Sequence, residues 1–331
     1  VNCGLSTFAS DTFPPLFFVV IGLIIQYSLG FGASQVKQLS DLSKASLIGI
    51  DWGTTSFRIY CLSSEGEILR NQSSPKGFGQ IEAEQAMKYL SQQRAKLPDL
   101  PVLMGGMVGS TIGLQEVPYL DCPLDLPLLS DSLVPLASTD GVFIVPGLKY
   151  MSGDNVDVMR GEEVQVMGWL ASQESINPSA VLCLPGTHSK WVYLVSGVVR
   201  KLETAMTGEL YELLSSQSVL VNGPQSESED AFLEGVRSSK SGDLTRKLFS
   251  TRARVVGAGK AASEAASYLS GLLIGKELLS AGVKGEMTHI VAAGALASRY
   301  ALAADHMKMP HKIWNGETMV ARGLARIWSG R

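Results

Sequence analysis

The sequence predicts an α/β protein made of two related lobes, and three observations carry that reading. First, apolar strand-like runs alternate with amphipathic helical runs from about residue 46 to the end. Second, a strand–Gly-Thr–strand unit occurs twice, as "LIGIDWGTTSFRIYCLSSEGEIL" (47–69) and "VLCLPGTHSKWVYLVSGVVRKL" (181–202). At an offset of 133 residues, Gly53-Thr54 falls on Gly186-Thr187, Ser56 on Ser189, and Ile59-Tyr60 on Val192-Tyr193. Third, a late apolar strand breaks at Gly294 into a helix, "VAAGALASRY". The duplication implies a first lobe over 46–178, a second over 179–331, and a cleft between them.

Taken in order, 47–50 and 57–62 read as strands flanking the first Gly-Thr turn, with "SSEG" turning into a third strand at 68–69. Residues 81–95 read as a helix with Ile81, Ala86, Met87 and Leu90 on one side. "PVLMGGMVGS" is a buried strand (102–104) running into a glycine-rich loop, and "YLDCPLDLPLL" is extended and broken by proline. Residues 142–148 read as one buried strand, leading through "KYMSGDNVD" into a helix, "VMRGEEVQVMGWLAS". In the second half, 259–279 read as a long helix whose alanines and glycines permit close packing. A strand at 290–292 and a C-terminal helix, "GETMVARGLARIW", follow. The P-loop-like "VVGAGKAAS" has Arg254 where a phosphate loop needs its first glycine, so it reads as a helix start.

The 331 residues are 45% hydrophobic and 18% charged with net charge −3, enough chain for two cores and too little positive charge to suggest a nucleic-acid partner. Cys3, Cys61, Cys122 and Cys183 form no CxxC, and Cys61 and Cys183 fall in expected core strands, which fits reduced thiols in a cytoplasmic protein. No Cys/His group has zinc-ligand spacing. The first 45 residues read as an apolar extension. Their uncharged stretch 13–34 leaves three readings open: a cleaved signal, a membrane anchor, or a start outside the functional protein.

A Gly-Thr turn between strands offers backbone N–H groups and hydroxyls with no side chain in the way, a concavity suited to phosphate oxygens. Two such turns facing across a cleft suit a nucleotide clamp of Gly53, Thr54 and Thr55 against Gly186, Thr187 and His188. Only the first carries a carboxylate, Asp51, where the second has Leu184. A nucleoside triphosphate arrives with Mg²⁺, a hard cation that needs a carboxylate from one side only, so Asp51 is the candidate metal residue.

The order "DWGTTSFR", "LPGTHSKW", "VAAGALASRY" resembles the sugar kinase–actin–Hsp70 superfamily, with its two-lobed ribonuclease H-like (actin-like ATPase) fold. More narrowly, "GGMVGSTIGLQEVPYLDCP", "DVMRGEEVQVMG", "LPGTHSKWV" and "MTGELYELL" resemble the 2-dehydro-3-deoxygalactonokinases, from about residue 46 to the C-terminus. That resemblance implies ATP-dependent phosphorylation of the 6-hydroxyl of 2-dehydro-3-deoxy-galactonate in galactonate breakdown, with adenosine in the turn at Gly294 and Ala295. It also implies a catalytic Asp at a helix start upstream of the second hairpin. Asp157 takes that place, with Glu162 and then Glu163 as competitors and a plain helix cap as the alternative role for Asp157. A sugar-acid carboxylate calls for a guanidinium. Arg58 and Arg160 are the candidates, each equally explained by pairing with Glu65 or Glu163. Gly109 and Ser110 would line the sugar site. Glu209 would bond a sugar hydroxyl from a turn at Thr207-Gly208, and Lys190 either contacts phosphate or is a solvated strand residue.

The rival readings are a kinase of another sugar acid and an ATP-driven switch of the actin or chaperone kind. A membrane-tethered sensor rests on residues 13–34 alone. Membrane contact is expected only if that segment is retained, and homo-oligomerisation is open.

Overall fold

The strand "LIGIDW" is apolar at almost every position because it is covered on both faces and paired on both edges, which places it at the centre of a sheet. The structure, a computed structural model, describes residues 42–331 apart from 138, 176–177 and 284, so the apolar stretch 13–34 lies outside the described residues. Among the described residues no helix is long and apolar enough to cross a membrane.

The first half runs β1 (Leu47–Trp52), β2 (Phe57–Leu62), β3 (Ile68–Ser74), α1 (Ala83–Arg94) and β4 (Val102–Gly106). Short elements follow: β5 (Leu120–Asp121), β6 (Leu124–Asp125), α2 (Leu128–Asp131), β7 (Val134–Pro135) and β8 (Val142–Ile144). The half closes with β9 (Leu148–Ser152), β10 (Asn155–Met159) and α3 (Glu162–Leu170). The second half opens with β11 (Ala180–Leu184), β12 (Ser189–Val195), β13 (Val198–Ala205) and α4 (Thr207–Ser216). It continues through α5 (Glu229–Ser239), α6 (Leu244–Leu248), α7 (Ser250–Val256) and α8 (Ala265–Ser280). It ends with β14 (Thr288–Ala292), α9 (Gly294–His306), β15 (His311–Asn315) and α10 (Gly316–Ser329).

The duplication seen in the hairpins extends to whole sheets. One sheet is ordered β3-β2-β1-β4-β8-β7, the other β6-β13-β12-β11-β14-β15. In each, the first three strands form an antiparallel meander and the next two add in parallel beside the first of them. This repeated three-two-one-four-five order is the two-lobed ribonuclease H-like, actin-like ATPase fold. A third, small sheet, β10-β9-β5, lies outside the pattern.

The cores form layers. Ile48, Ile50, Trp52 and Phe57 pack under α1 on the outer face of the first sheet. Cys183, Trp191 and Ile290 do the same with α5, α8 and α9 on the second. The inner faces share a single core: Leu47, Leu62 and Leu103 from one sheet join Leu182, Val192 and Leu202 from the other, with α3 and α10 between them. Those two helices meet backbone to backbone. A Cβ on Gly168 would sit inside the Met319 carbonyl, and one on Gly323 inside the Val164 carbonyl. The small residues of α8 serve the same purpose, Gly271 lying on the Phe232 carbonyl of α5.

Three expectations change. The run 142–148 is two strands, because the chain leaves the first sheet after β8 and starts the small one at β9. Gly147 there crosses so close to Met159 O that a Cβ would lie 2.5 Å away. The segment expected as loop and helix start, 149–159, is the β9–β10 hairpin, so α3 begins only at Glu162. Finally, elements cross the expected boundary at 178. β6 pairs with β13 of the second sheet, while α10 lies over β1, with Leu324 Cδ1 only 2.7 Å from where a Gly49 Cβ would be.

The α3–α10 crossing yields a test. Gly323→Ala forces a methyl into the Val164 carbonyl and should cost about 1–3 kcal/mol, read as a lower urea midpoint at unchanged m-value. A wild-type midpoint would mean that the crossing has room to spare.

Candidate active site

Both Gly-Thr turns are held from behind in the same way. At the first, Phe78 N–H donates to the Gly53 carbonyl (3.0 Å) and Gly79 N–H to the Thr54 carbonyl (2.8 Å). At the second, Glu209 N–H donates to the Thr187 carbonyl (3.0 Å), and Gly208 lies against Gly186 where a Cβ would not fit. The C=O and N–H of a trans peptide point opposite ways. Tying these carbonyls inward therefore turns the N–H groups of Thr54, Thr55 and His188 outward, at residues that are themselves exposed. Neither Gly53 nor Gly186 has a positive φ. A Cβ at Gly186 would meet nothing within 4 Å, and one at Gly53 only the Ser56 carbonyl at 3.8 Å. Folding does not demand glycine at either place, whereas a phosphate approaching the outward N–H groups would.

Cross-strand pairing differs between the two turns. Asp51 lies opposite Arg58 and forms an ion pair with it (Nη1–Oδ2 2.8 Å). Arg58 thus pairs with Asp51 rather than Glu65, and is not a free guanidinium. Asp51 stays partly exposed, and a lone carboxylate fits Mg²⁺ that takes its other oxygens from phosphate and water. Among the described residues no cluster of three or more His, Cys, Asp or Glu forms a metal site. In the second turn Leu184 lies opposite Lys190, which is buried, not solvated.

The start of α3 is packed against the end of the first hairpin by glycines. Gly106 (φ +92°) lies against the Trp52 carbonyl, and Gly161 (φ +109°) would place a Cβ 3.1 Å from Gly106 Cα. This close fit brings the start of α3, with Glu162, near Asp51. Glu162 Oε2 accepts from Arg160 N–H (3.0 Å), and both Glu163 oxygens accept from Gly161 N–H (2.9 and 2.7 Å). Burial raises the Glu162 carboxyl above its ordinary range; Lys190 opposes the shift and Asp51 adds to it. One carboxyl is therefore within electrostatic reach of the strand ends of both hairpins.

Arg160 lies against the glycine-rich loop. The guanidinium donates to the Val117 carbonyl (2.7 Å), stacks over Tyr119 (4.1 Å) and passes so near Gly109 that a Cβ there would be 2.8 Å from Nη1. Its Nε and Nη1 are buried without a hydrogen-bond partner, and Glu163 does not pair with it. Ser110, beside Gly109, donates to the Met107 carbonyl (2.7 Å).

Asp157 is not at a helix start. It lies in β10, where its carboxylate accepts from Thr204 N–H (2.6 Å), Thr204 Oγ1 (2.5 Å) and Val158 N–H (2.8 Å), bracing the small sheet on β13. Glu209 pairs with His188 at the tip of the second turn, and Thr207-Gly208 open α4 instead of forming a turn. Gly294 (φ +58°) and Ala295 are exposed at the start of α9. That helix is tied to the second hairpin through Tyr300, whose hydroxyl meets Ser189 Oγ (3.0 Å) and the buried Glu277 (2.6 Å). Glu277 also accepts from Trp191 Nε1 (2.9 Å). Sequence reasoning missed Glu277, and it missed the 76–79 segment despite its G-x-G signal.

A family model described as 2-keto-3-deoxy-galactonokinase matches residues 51–327. The chain belongs to that family. It is 32% identical over 293 residues to the 2-dehydro-3-deoxygalactonokinase of Escherichia coli (strain K12), covering 86% of this chain and 97% of the relative. A solved structure from Sinorhizobium meliloti assigned to 2-dehydro-3-deoxygalactonokinase shares 30% identity and a TM-score of 0.77, over 85% of this chain and 97% of that one. The galactonokinase match begins at Asp51 and so takes in both Gly-Thr turns, Arg160, Glu162 and the Gly294 turn.

Glu163 gives a pH test. Burial first, then the adjacent Glu162, pushes its carboxyl up to about 8 from 4.5. Between those values the folded protein keeps a proton that the unfolded chain releases, so stability is full at low pH and falls as pH rises toward 8. The slope is at most about 1.4 kcal/mol per pH unit. Glu163→Gln should flatten the urea midpoint between pH 5 and pH 8; parallel slopes for the two proteins would clear Glu163 of the effect.

Proposed function

We propose that this protein transfers the γ-phosphoryl group of Mg-ATP to the terminal 6-hydroxyl of 2-dehydro-3-deoxy-galactonate, a cytoplasmic step of galactonate breakdown. The observation that carries the reading is the pair of Gly-Thr turns, each braced from behind so that its N–H groups face outward, with Asp51 at the base of one of them. Its family membership supplies the substrate class.

In this reading the outward N–H groups of Thr54, Thr55 and His188 receive the phosphate tail, with Gly53, Gly186 and Thr187 leaving the approach open. Gly294 and Ala295 lie against adenosine. Glu209 orients His188 instead of bonding the sugar. Asp51 would hold Mg²⁺, which when bound neutralises charge on the β- and γ-phosphates, and Arg58 keeps Asp51 in place. The unpaired Nε and Nη1 of Arg160 suit the substrate carboxylate, with Gly109 and Ser110 beside it.

Glu162 replaces Asp157 as the favoured proton acceptor. Both Asp157 oxygens are engaged by Thr204, whereas Glu162 makes one backbone bond beside both hairpins. A carboxyl raised above its ordinary range is better matched to accept a hydroxyl proton near neutral pH.

A coupled ADP-release assay with 2-dehydro-3-deoxy-galactonate, its gluconate epimer and simple hexoses tests the reading. ADP release dependent on the galactonate-derived acid is expected; acid-independent ATPase activity alone would overturn it. Arg160→Met should raise KM for the acid about ten- to a hundredfold while leaving KM for ATP close to wild type. An unchanged acid KM would remove Arg160 from the site.

A further inference from the structure

We propose that Lys190 is a catalytic residue, its ammonium group contacting the γ-phosphoryl of bound nucleotide from the second lobe while facing the Glu162 carboxyl of the first. The inference rests on the kinase reading above.

The two hairpins place a cation at the same point of their ladders. Arg58 pairs across the strands with Asp51, and Lys190 pairs with Leu184. Residues directly opposite one another in an antiparallel pair share a face. Asp51 can therefore neutralise Arg58 within its own hairpin, whereas Leu184 leaves the charge of Lys190 unanswered there. Among the described residues no carboxylate lies within ion-pair distance of Lys190 Nζ, although the residue is only 7% exposed. Burying an ammonium with no carboxylate directly on it is costly; Asp157 reaches it only through the Thr204 hydroxyl, which leaves room for a second anion.

Lys190 Nζ donates to Thr204 Oγ1 (2.9 Å), and the hydroxyl hydrogen of Thr204 goes to Asp157 (2.5 Å). Thr204 is thereby fixed as an acceptor toward the lysine, since one hydroxyl carries a single hydrogen. An ammonium has three N–H bonds, and Thr204 takes one. Two carboxylates bear on this arrangement: Asp157, reached through the Thr204 hydroxyl, and Glu162, for which Lys190 is the chief stabilising cation. Lys190 also begins three residues past the Thr187 turn, so it stands at the root of the second phosphate hairpin.

These facts suit the transfer step. The bond from the γ-phosphorus to the bridging oxygen breaks and its electron pair leaves on ADP. A bond forms from the substrate hydroxyl oxygen to phosphorus, and the hydroxyl proton passes to Glu162. Through this step negative charge is spread over the γ-phosphoryl oxygens, and a fixed ammonium next to them stabilises it. Asp157, expected from the resemblance to be the base, contributes at one remove, by setting Thr204 and hence the lysine.

The test uses the full chain with Lys190→Met and Lys190→Arg, scored by folding midpoint, ATP and ADP affinity, and steady-state kinetics. Lys190→Met should lower kcat on the order of a hundredfold or more, with the acid KM within about threefold of wild type. It should also weaken ATP binding about tenfold relative to ADP, because only ATP carries the γ-phosphate. Lys190→Arg should recover part of both losses. A Lys190→Met protein that keeps the wild-type ATP/ADP preference and kcat would overturn the proposal, whatever its folding midpoint. If wild type turns over none of the acids, the kinase reading fails first, and the ATP/ADP preference still decides whether Lys190 meets a γ-phosphate.

Discussion

The crossing of α3 and α10, glycine against carbonyl on both sides, sets the depth of everything around the site. Because Gly168 and Gly323 let the two backbones touch, α3 lies close enough to the first sheet for Gly161 to reach Gly106. That contact brings Glu162 near Asp51 and leaves Glu163 buried behind it. A bulkier pair of helices would raise α3 by the thickness of a side chain and separate its acids from the hairpin, since close-packed interiors transmit such changes instead of absorbing them. The price is two carboxyls in a dry environment, one of them protonated well above the ordinary range.

The duplicated hairpins reach the same outward geometry from different supports. The first turn rests on 76–79, the connection from β3 to α1, and the second on the first turn of α4. In each case a backbone N–H takes the carbonyl of the equivalent threonine. What differs is charge. The first hairpin neutralises its own cation with Asp51, and the second does not. The contrast between Asp51 and Leu184, visible in the bare sequence, therefore has two sides: one hairpin gains a carboxylate for a metal, and the other leaves a lysine uncommitted.

Much of the fold was legible because its signals are local. Gly-Thr between two apolar runs specifies a hairpin wherever it occurs, and the doubled pattern carried the two-lobed architecture. The candidate site could be read from the sequence where it consists of backbone, since Gly53, Gly186 and Gly294 stand at turns or helix starts marked by their own residues. It was less legible where side chains depend on distant partners. Asp157 looked like a helix cap, but "SGDN" is a hairpin turn with Gly153 at φ +58°, and the flanking Val156 and Val158 are exposed valines that disguise a strand. Lys190 read equally as a phosphate contact or a solvated strand residue, because its partner Thr204 lies on the neighbouring strand β13. Glu277 gave no signal at all, since its donors lie on β12 and α9, far apart in the chain.

The route of the chain also has a temporal side. Gly49 in β1 and Gly66 in the turn after β2 are shaped to receive Leu324 and Arg322 of α10, a helix made long after them. Until that C-terminal helix emerges, the inner face of the first sheet has no lid, and α3 has nothing to lean on. The nascent first lobe is thus a half-built shell awaiting α10. A chain cut short before that helix would carry both Gly-Thr turns and α3, and would lack the surface that α3 packs on.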